Sequence, residues 1–365
     1  MTARPGVVSS LKAALGSDHT RRTLWFSAAF SVLAFSLAFA ICLALGRRDL
    51  ALAAGLVAMF AVAGSGVVPP GLTRQVGIPA AVAVLITPVL VLISDRQPIV
   101  AATVMAIVMV VASISSADVP TGSVVGLMGS LSLTLGMASR SLHDVPWTDA
   151  LLVSGLAGLV AAAGIAGLAG WRALGIKEHS RLAIPAVPHL PGSEWQRYRL
   201  AVDPVIRRWR TNPYARLALR RTVVMAPLTA VLVAWGDPSG LFALLAAFAA
   251  LQPTATASTR RAIAQIAGSV VACTLAVILG FVVSGLLLLA IGILGMAIGL
   301  AFVLRSPFIA AAGTTAFALA GAGMAGGMAD IAQGRFLSTL AGAAIAIIAT
   351  VVIRPAPNQD SPSDG

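Results

Sequence analysis

Residues Ala262 to Leu304 read AIAQIAGSVVACTLAVILGFVVSGLLLLAIGILGMAIGLAFVL, a stretch without a single charged side chain. A helix that crosses a bilayer needs about 20 mainly apolar residues, because in hydrocarbon every backbone N–H and C=O must be satisfied inside the helix. This run is too long for one crossing and long enough for two, with Ser284 and Gly285 as the turn between them.

The same criterion, carried outward, divides the rest of the chain. Before this run come Thr222 to Gly236 and Pro238 to Thr259, and after it Ser306 to Ala329 and Phe336 to Ile353, which makes a set of six. The first half offers another six: Thr23 to Gly46, Leu50 to Thr73, Gln75 to Ser94, Gln97 to Ala117, Val119 to Ser139 and Ala150 to Trp171. The expected fold class is an all-α membrane protein of about twelve transmembrane helices.

Composition agrees. The 365 residues are 58% hydrophobic and only 10% charged, with a mean hydropathy of +0.93, whereas soluble domains carry roughly a quarter charged residues. Cys42 and Cys273, the only cysteines, each lie inside an apolar run, so no disulfide framework or zinc cluster is available. His19, His143, His179 and His189 are scattered. The only lysines are Lys12 and Lys177, which leaves no Walker lysine, and neither HExxH nor GxSxG occurs. Gly321 to Gly326 matches GxGxxG letter for letter, but no strand precedes it and no acid follows at the required distance. Small residues there, like Gly295 and Gly299, suit close helix packing instead. An enzyme is not expected, nor is any cofactor or metal.

The net charge of +12 is concentrated, with 11 of the 25 Lys and Arg between Arg172 and Arg221, which points to a cytoplasmic loop and not to nucleic acid. With the N-terminus inside, 20 basic residues fall on the cytoplasmic side and only Arg47, Arg48, Arg96, Arg140 and Arg335 outside. Trp25, Trp147, Trp171 and Trp235 stand at run ends, where amphipathic rings anchor in the interface. The Arg21-Arg22 pair before the first run resembles a twin-arginine signal, but that run exceeds the usual apolar core of such signals and reads as an uncleaved first span. The expected location is the plasma (cell inner) membrane with both termini cytoplasmic.

Polar landmarks recur. Arg21-Arg22-Thr23 returns as Arg220-Arg221-Thr222, Thr73-Arg74 as Thr259-Arg260, Asp118-Val119-Pro120 is matched in place by Arg305-Ser306-Pro307, and Asp144 and Asp149 by Asp330 and Arg335. From Thr73 onward the offset stays at 186 or 187. Two halves with an even number of spans share one orientation, so two parallel six-helix repeats are expected, with a pathway between them. The resulting organisation is a cytoplasmic tail (1–22), a first membrane half (23–171), a basic linker (172–218), a second half (219–354) and a disordered tail (355–365).

The second half compresses its first two spans by 13 residues, from the 51 between Arg22 and Thr73 to the 38 between Arg221 and Thr259. Short, Gly/Pro-interrupted spans point to a substrate site, since broken helices leave oriented backbone groups at membrane depth. That places Trp235 to Gly240 and Gln252 to Thr256 under suspicion; the other reading is an ordinary outer turn, with arginines snorkelling from a span that starts as early as Leu217. In the linker, Ile184 to Pro191 is extended and proline-rich, and Trp195 to Trp209 interleaves aromatic and aliphatic residues with arginines. The latter is a basic amphipathic helix, interrupted or started afresh at Pro204, able to lie on anionic lipid headgroups, or else a plain topology-setting charge cluster.

Leu219-Arg220-Arg221, the Gly236-Asp237-Pro238 turn, Leu251-Gln252-Pro253, Thr259-Arg260-Arg261-Ala262 and Gly268-Ser269 together resemble the fusaric acid resistance (FUSC) family, which includes aromatic acid exporters. The detailed likeness covers Leu219 to Gly268; Leu241-Phe242 stands where the family has Tyr-Trp, Gln265 where it has a second arginine, and Ser269 where it has threonine. The resemblance implies proton-coupled outward movement of an aromatic or other organic anion or amphiphilic toxic compound. An organic anion channel and a non-transporting membrane scaffold are the rivals. On this reading Arg74, Arg260 and Arg261 recruit the anion at the cytoplasmic mouth, Gln252 and Thr254 supply uncharged hydrogen bonds, and Asp330 is the proton-responsive acid. Positive-inside duty for the arginines and a solvated helix end for Asp330 are the simpler alternatives. The expected partners are a small organic anion, the lipid bilayer with anionic headgroups at the linker, and a second copy in a homo-oligomer.

Overall fold

A computed structural model describes residues 24–67, 90, 97–115, 146–174, 194–235, 239–283, 285–303, 306–323 and 328–353. Eleven helices are found among the described residues: α1 (Trp25–Ala44), α2 (Arg48–Val67), α3 (Pro98–Ser115), α4 (Trp147–Ala173), α5 (Glu194–Arg207), α6 (Pro213–Trp235), α7 (Ser239–Ala250), α8 (Ala255–Val282), α9 (Gly285–Ala301), α10 (Pro307–Gly323) and α11 (Met328–Val352). No strand occurs among them.

Among the described residues, six helices are long and apolar enough to cross a membrane: Trp25–Ala44, Pro98–Ser115, Leu151–Arg172, Pro213–Trp235, Ala255–Val282 and Ala332–Val352. Their outward faces carry Leu33, Ile107, Leu159, Ile278 and Ile348, all more than half exposed, a surface that lipid tolerates and water does not. The expected spans Gln75 to Ser94 and Val119 to Ser139 fall almost wholly outside the described residues.

Local chemistry sets several ends. Gly46, at φ +75, turns the chain between α1 and α2, a left-handed conformation open to glycine without steric cost. Beyond that turn, Arg47 pairs with Asp149 at the start of α4, Nη2 to Oδ1 2.8 Å. At the start of α6, Asn212 Oδ1 accepts from the N–H of Tyr214 at 2.9 Å, with Pro213 as first helical residue, the arrangement favoured at helix N-termini. The helix therefore begins nine residues before Thr222 and carries Arg220 and Arg221 inside it. Two other boundaries differ from the charge-free runs in the same direction. Helix α8 starts at Ala255, so Thr259, Arg260 and Arg261 are helical and not a turn. Helix α11 starts at Met328, so Arg335, expected in an outer loop, lies within it and is buried.

Small residues let the helices approach. A Cβ added at Gly313 on α10 would meet the carbonyl oxygen of Gly295 on α9, and one added at Gly342 on α11 would meet that of Ala243 on α7; such contacts substitute for the hydrophobic drive that lipid removes. Helices α1, α2 and α4 share a layer built on Ala34, Ala58, Ala61, Val62, Ala161 and Ile165.

The larger core joins α3, α6, α7, α8 and α11 through Met105, Met109, Met225, Leu244, Phe248 and Ala346 among others. Helix α1 packs against α9 and α10: the Leu24 N–H donates to the Ala301 carbonyl at 2.8 Å, and Phe35 meets the Phe317 ring edge-on at 4.9 Å. Helix α5 runs through Pro204 without interruption and rests on α3 and α6, with Val202 and Val205 buried and Arg207 exposed.

Candidate functional site

Helix α7 has 12 residues, about 18 Å at 1.5 Å per residue, well short of the ~30 Å of a hydrocarbon core. The chain then leaves helical geometry from Leu251 to Thr254 before α8 begins. A helix end leaves up to four carbonyls without intrahelical partners, and at membrane depth each orphan costs several kcal/mol. Non-helical backbone persists there only when protein or a water-filled cavity lines it.

Helix α6 supplies the lining. Arg221 Nη2 donates to the Leu251 carbonyl at 3.2 Å, and Arg220 Nη2 to the Pro253 carbonyl at 2.9 Å. Between them, Ser258 Oγ accepts from the Gln252 N–H at 2.9 Å and donates to the Gln252 carbonyl at 3.2 Å. Thr254 Oγ1 then accepts from the Ala257 N–H at 3.3 Å and caps α8. Each residue from Leu251 to Pro253 thus has a backbone polar group held by a side chain, and Thr254 lends its own to the start of α8.

Both arginines are interior. Arg220 is 0% and Arg221 9% exposed, and they stand seven and eight residues into α6, some 11 to 12 Å along its axis. Arg220 Nη1 also lies 3.5 Å from Thr350 Oγ1 near the end of α11. The Arg221 guanidinium sits 4.5 Å from the centre of the Phe248 ring on α7. Both guanidinium groups are therefore held by protein groups of α7, α11 and the break between α7 and α8.

Magnitudes show what remains unbalanced. Insertion scales put an arginine at the helix centre near 3 kcal/mol; a hydrogen bond from a charged donor returns about 1.5 to 3 kcal/mol and a desolvated cation–π contact about 2 kcal/mol. The contacts can offset the cost of burial, but carbonyls and rings do not neutralise charge. Arg216 and Arg261 add to the local positive field, and among the described residues neither Arg220 nor Arg221 has a carboxylate partner. Positive charge is thus concentrated at this end of the bundle.

The residues singled out in the sequence fare unevenly. Gln252, Thr254 and Arg261 are brought to the same end as Arg220 and Arg221. Gln252 Nε2 donates to the Ala249 carbonyl at 3.0 Å and Thr254 serves as the cap, so the described hydrogen bonds of both hold the break itself. Arg260 is half-buried and Arg261 exposed on α8. Arg74 lies outside the described residues. Asp330 falls in the first turn of α11, at the opposite end from Thr350, and its side chain is outside the described set. Arg220 and Arg221 were read as basic landmarks, or as arginines snorkelling from a span that starts as early as Leu217; Asn212-Pro213 is the helix-start signal that places them inside α6.

The broken helix, its arginine clamp and α8 to α11 fall in or directly before one stretch that comparison with known families picks out. Residues 225–349 match the fusaric acid resistance protein-like family. The match covers about a third of the chain and takes in Gln252, Thr254, Arg260, Arg261 and Arg335, while Arg220 and Arg221 stand just before it. No curated protein and no solved structure matches the chain. The fusaric acid resistance-like stretch also extends the likeness read from Leu219 to Gly268 through α9, α10 and most of α11.

Proposed function

We propose that the protein is an exporter of organic anions, with aromatic carboxylates as the substrate class, in the plasma membrane with both termini cytoplasmic. The observation that carries this reading is the pair Arg220 and Arg221, buried with no carboxylate partner among the described residues, beside the chain break at Leu251 to Thr254. An anion arriving there supplies the missing charge, and Arg261 draws it in from the surface.

Two parallel six-helix halves are part of the proposal, and the packing supports them. The sequence repeat pairs α1 with α6, and its offset of 186 to 187 carries the ends of α3 onto those of α9. The contact of α1 with α9 and that of α3 with α6 are then the same contact with the halves exchanged. Proton coupling is assigned to Asp330, on the helix whose far end touches Arg220 through Thr350. The amphipathic helix α5, with exposed Arg207 and Ile206, rests on anionic headgroups.

The test is flux in liposomes containing the purified protein, using labelled benzoate with and without an imposed pH gradient. Gradient-driven transport that disappears in Arg221→Gln supports the reading. In Asp330→Asn the gradient-driven part should vanish while passive exchange persists. Absence of benzoate flux under every gradient would refute it.

A further inference from the structure

A second cation is buried at the other end of the same helices. Arg335, in the second turn of α11, is 6% exposed, and its Nε and Nη1 are buried with no hydrogen-bond partner. Its guanidinium lies 3.7 Å from the centre of the Phe242 ring, at the start of α7. Cys273 on α8, whose Sγ is 3.6 Å from the Ala332 carbonyl, is within Coulombic reach. No carboxylate of the described residues pairs with Arg335. Asp330 precedes it by five residues, which places the two about 140° apart around the helix axis.

From Arg335 to Thr350 is 15 residues of continuous helix, about 22 Å. The unpaired guanidinium is therefore separated from the Arg220 and Arg221 clamp by most of a hydrocarbon thickness. An arginine kept in such a place purely for packing would be a poor choice. Its Nε and Nη1 lack acceptors among the described residues, and apolar residues of similar volume replace buried charges at little cost or with a gain in stability. The ring of Phe242 holds the guanidinium in position by cation–π contact but takes up none of its donors. Among the described residues, Arg335 meets no acceptor that carries negative charge.

We propose that Arg335, held by Phe242, forms a second anion site in the outer half of the bundle, where the carboxylate leaving the Arg220 and Arg221 clamp is received before release. The site rests on the exporter reading for its ligand class: an organic carboxylate meets the unpaired N–H groups of Arg335, and the short helix α7 links the two sites, with Phe248 under Arg221 at one end and Phe242 under Arg335 at the other.

The experiment is equilibrium binding of radiolabelled benzoate to the full chain in lipid nanodiscs in chloride-free buffer, with thermal melting followed in parallel. Wild type should bind two benzoates per chain, and Arg335→Met one, or with at least tenfold lower affinity. The melting temperature of Arg335→Met without ligand should equal or exceed that of wild type, while its benzoate-induced rise shrinks. Arg335→Lys should restore part of the binding.

A lowered melting temperature in Arg335→Met with unchanged benzoate binding would mark a structural arginine and overturn the site. Chloride protection that depends on Arg335, with no effect of benzoate, would overturn the carboxylate assignment. Benzoate binding lost in Arg221→Met but untouched in Arg335→Met sinks the outer site alone. Intact binding at both with no flux in liposomes sinks the exporter reading alone.

Discussion

Arg220 on α6 reaches across 33 positions of sequence to the carbonyl of Pro253, 2.9 Å away, and thereby makes the break after α7 part of the framework of α6. The same side chain lies 3.5 Å from Thr350 Oγ1, so one guanidinium ties α6, the break and the end of α11 together.

Arg220→Ala should therefore act mainly on stability. It strips the Pro253 carbonyl of its donor, and an unsatisfied buried acceptor costs about 1 to 3 kcal/mol. Arg220→Lys should recover only part, because an ammonium on a flexible stem lacks the fork that serves two partners at once. Denaturation in detergent, compared with wild type, checks both.

Arg221 should behave differently. Its Nη2 satisfies Leu251, but its Nε is buried without a partner. Arg221→Lys should keep the charge and weaken benzoate uptake mostly through KM, whereas Arg221→Gln should reduce it at least tenfold at every concentration. Initial rates in liposomes separate the two.

Gly342→Val should loosen α7 from α11. Its Cβ would press on the backbone carbonyl of Ala243, which cannot rotate away, and overpacking of this kind costs about 1 to 3 kcal/mol. The expected result is a lower melting temperature, with benzoate binding weakened at both ends of α7.

Arg47→Ala should do almost nothing. The pair with Asp149 is short at 2.8 Å, but the Arg47 side chain is 44% exposed, and exposed ion pairs contribute about 0 to 1 kcal/mol. A melting temperature within error of wild type is the outcome to look for; a large loss would mean that the α1 to α2 turn is more buried in the membrane than its exposure indicates.

The class of fold was legible from runs such as Ala262 to Leu304, because the demand for internally satisfied backbone leaves few alternatives in lipid. The charged residues inside helices were not. Defining spans as charge-free stretches puts every arginine outside a helix by construction, which is why Arg260, Arg261 and Arg335 were assigned to span ends or loops, and why Arg220 and Arg221 entered a span only in the alternative that starts it as early as Leu217. For α6 the correcting signal was present in Asn212-Pro213. For Arg335 no local signal existed: the face of Phe242, 93 residues earlier, holds it only once α7 and α11 are packed. The described bonds of Gln252 and Thr254 finish helix ends, a local duty that the pattern Gln252-Pro253-Thr254 does not by itself announce.

Because α1 closes on α9 and α3 on α6, each half of the chain completes its packing with a helix lent by the other. Among the described residues the two are held by these complementary helix surfaces, with α5 of the linker resting on α3 and α6. Cut within the proline-rich stretch from Ile184 to Pro191 and made as two fragments, the molecule has the contacts it needs to find its missing part again inside the bilayer.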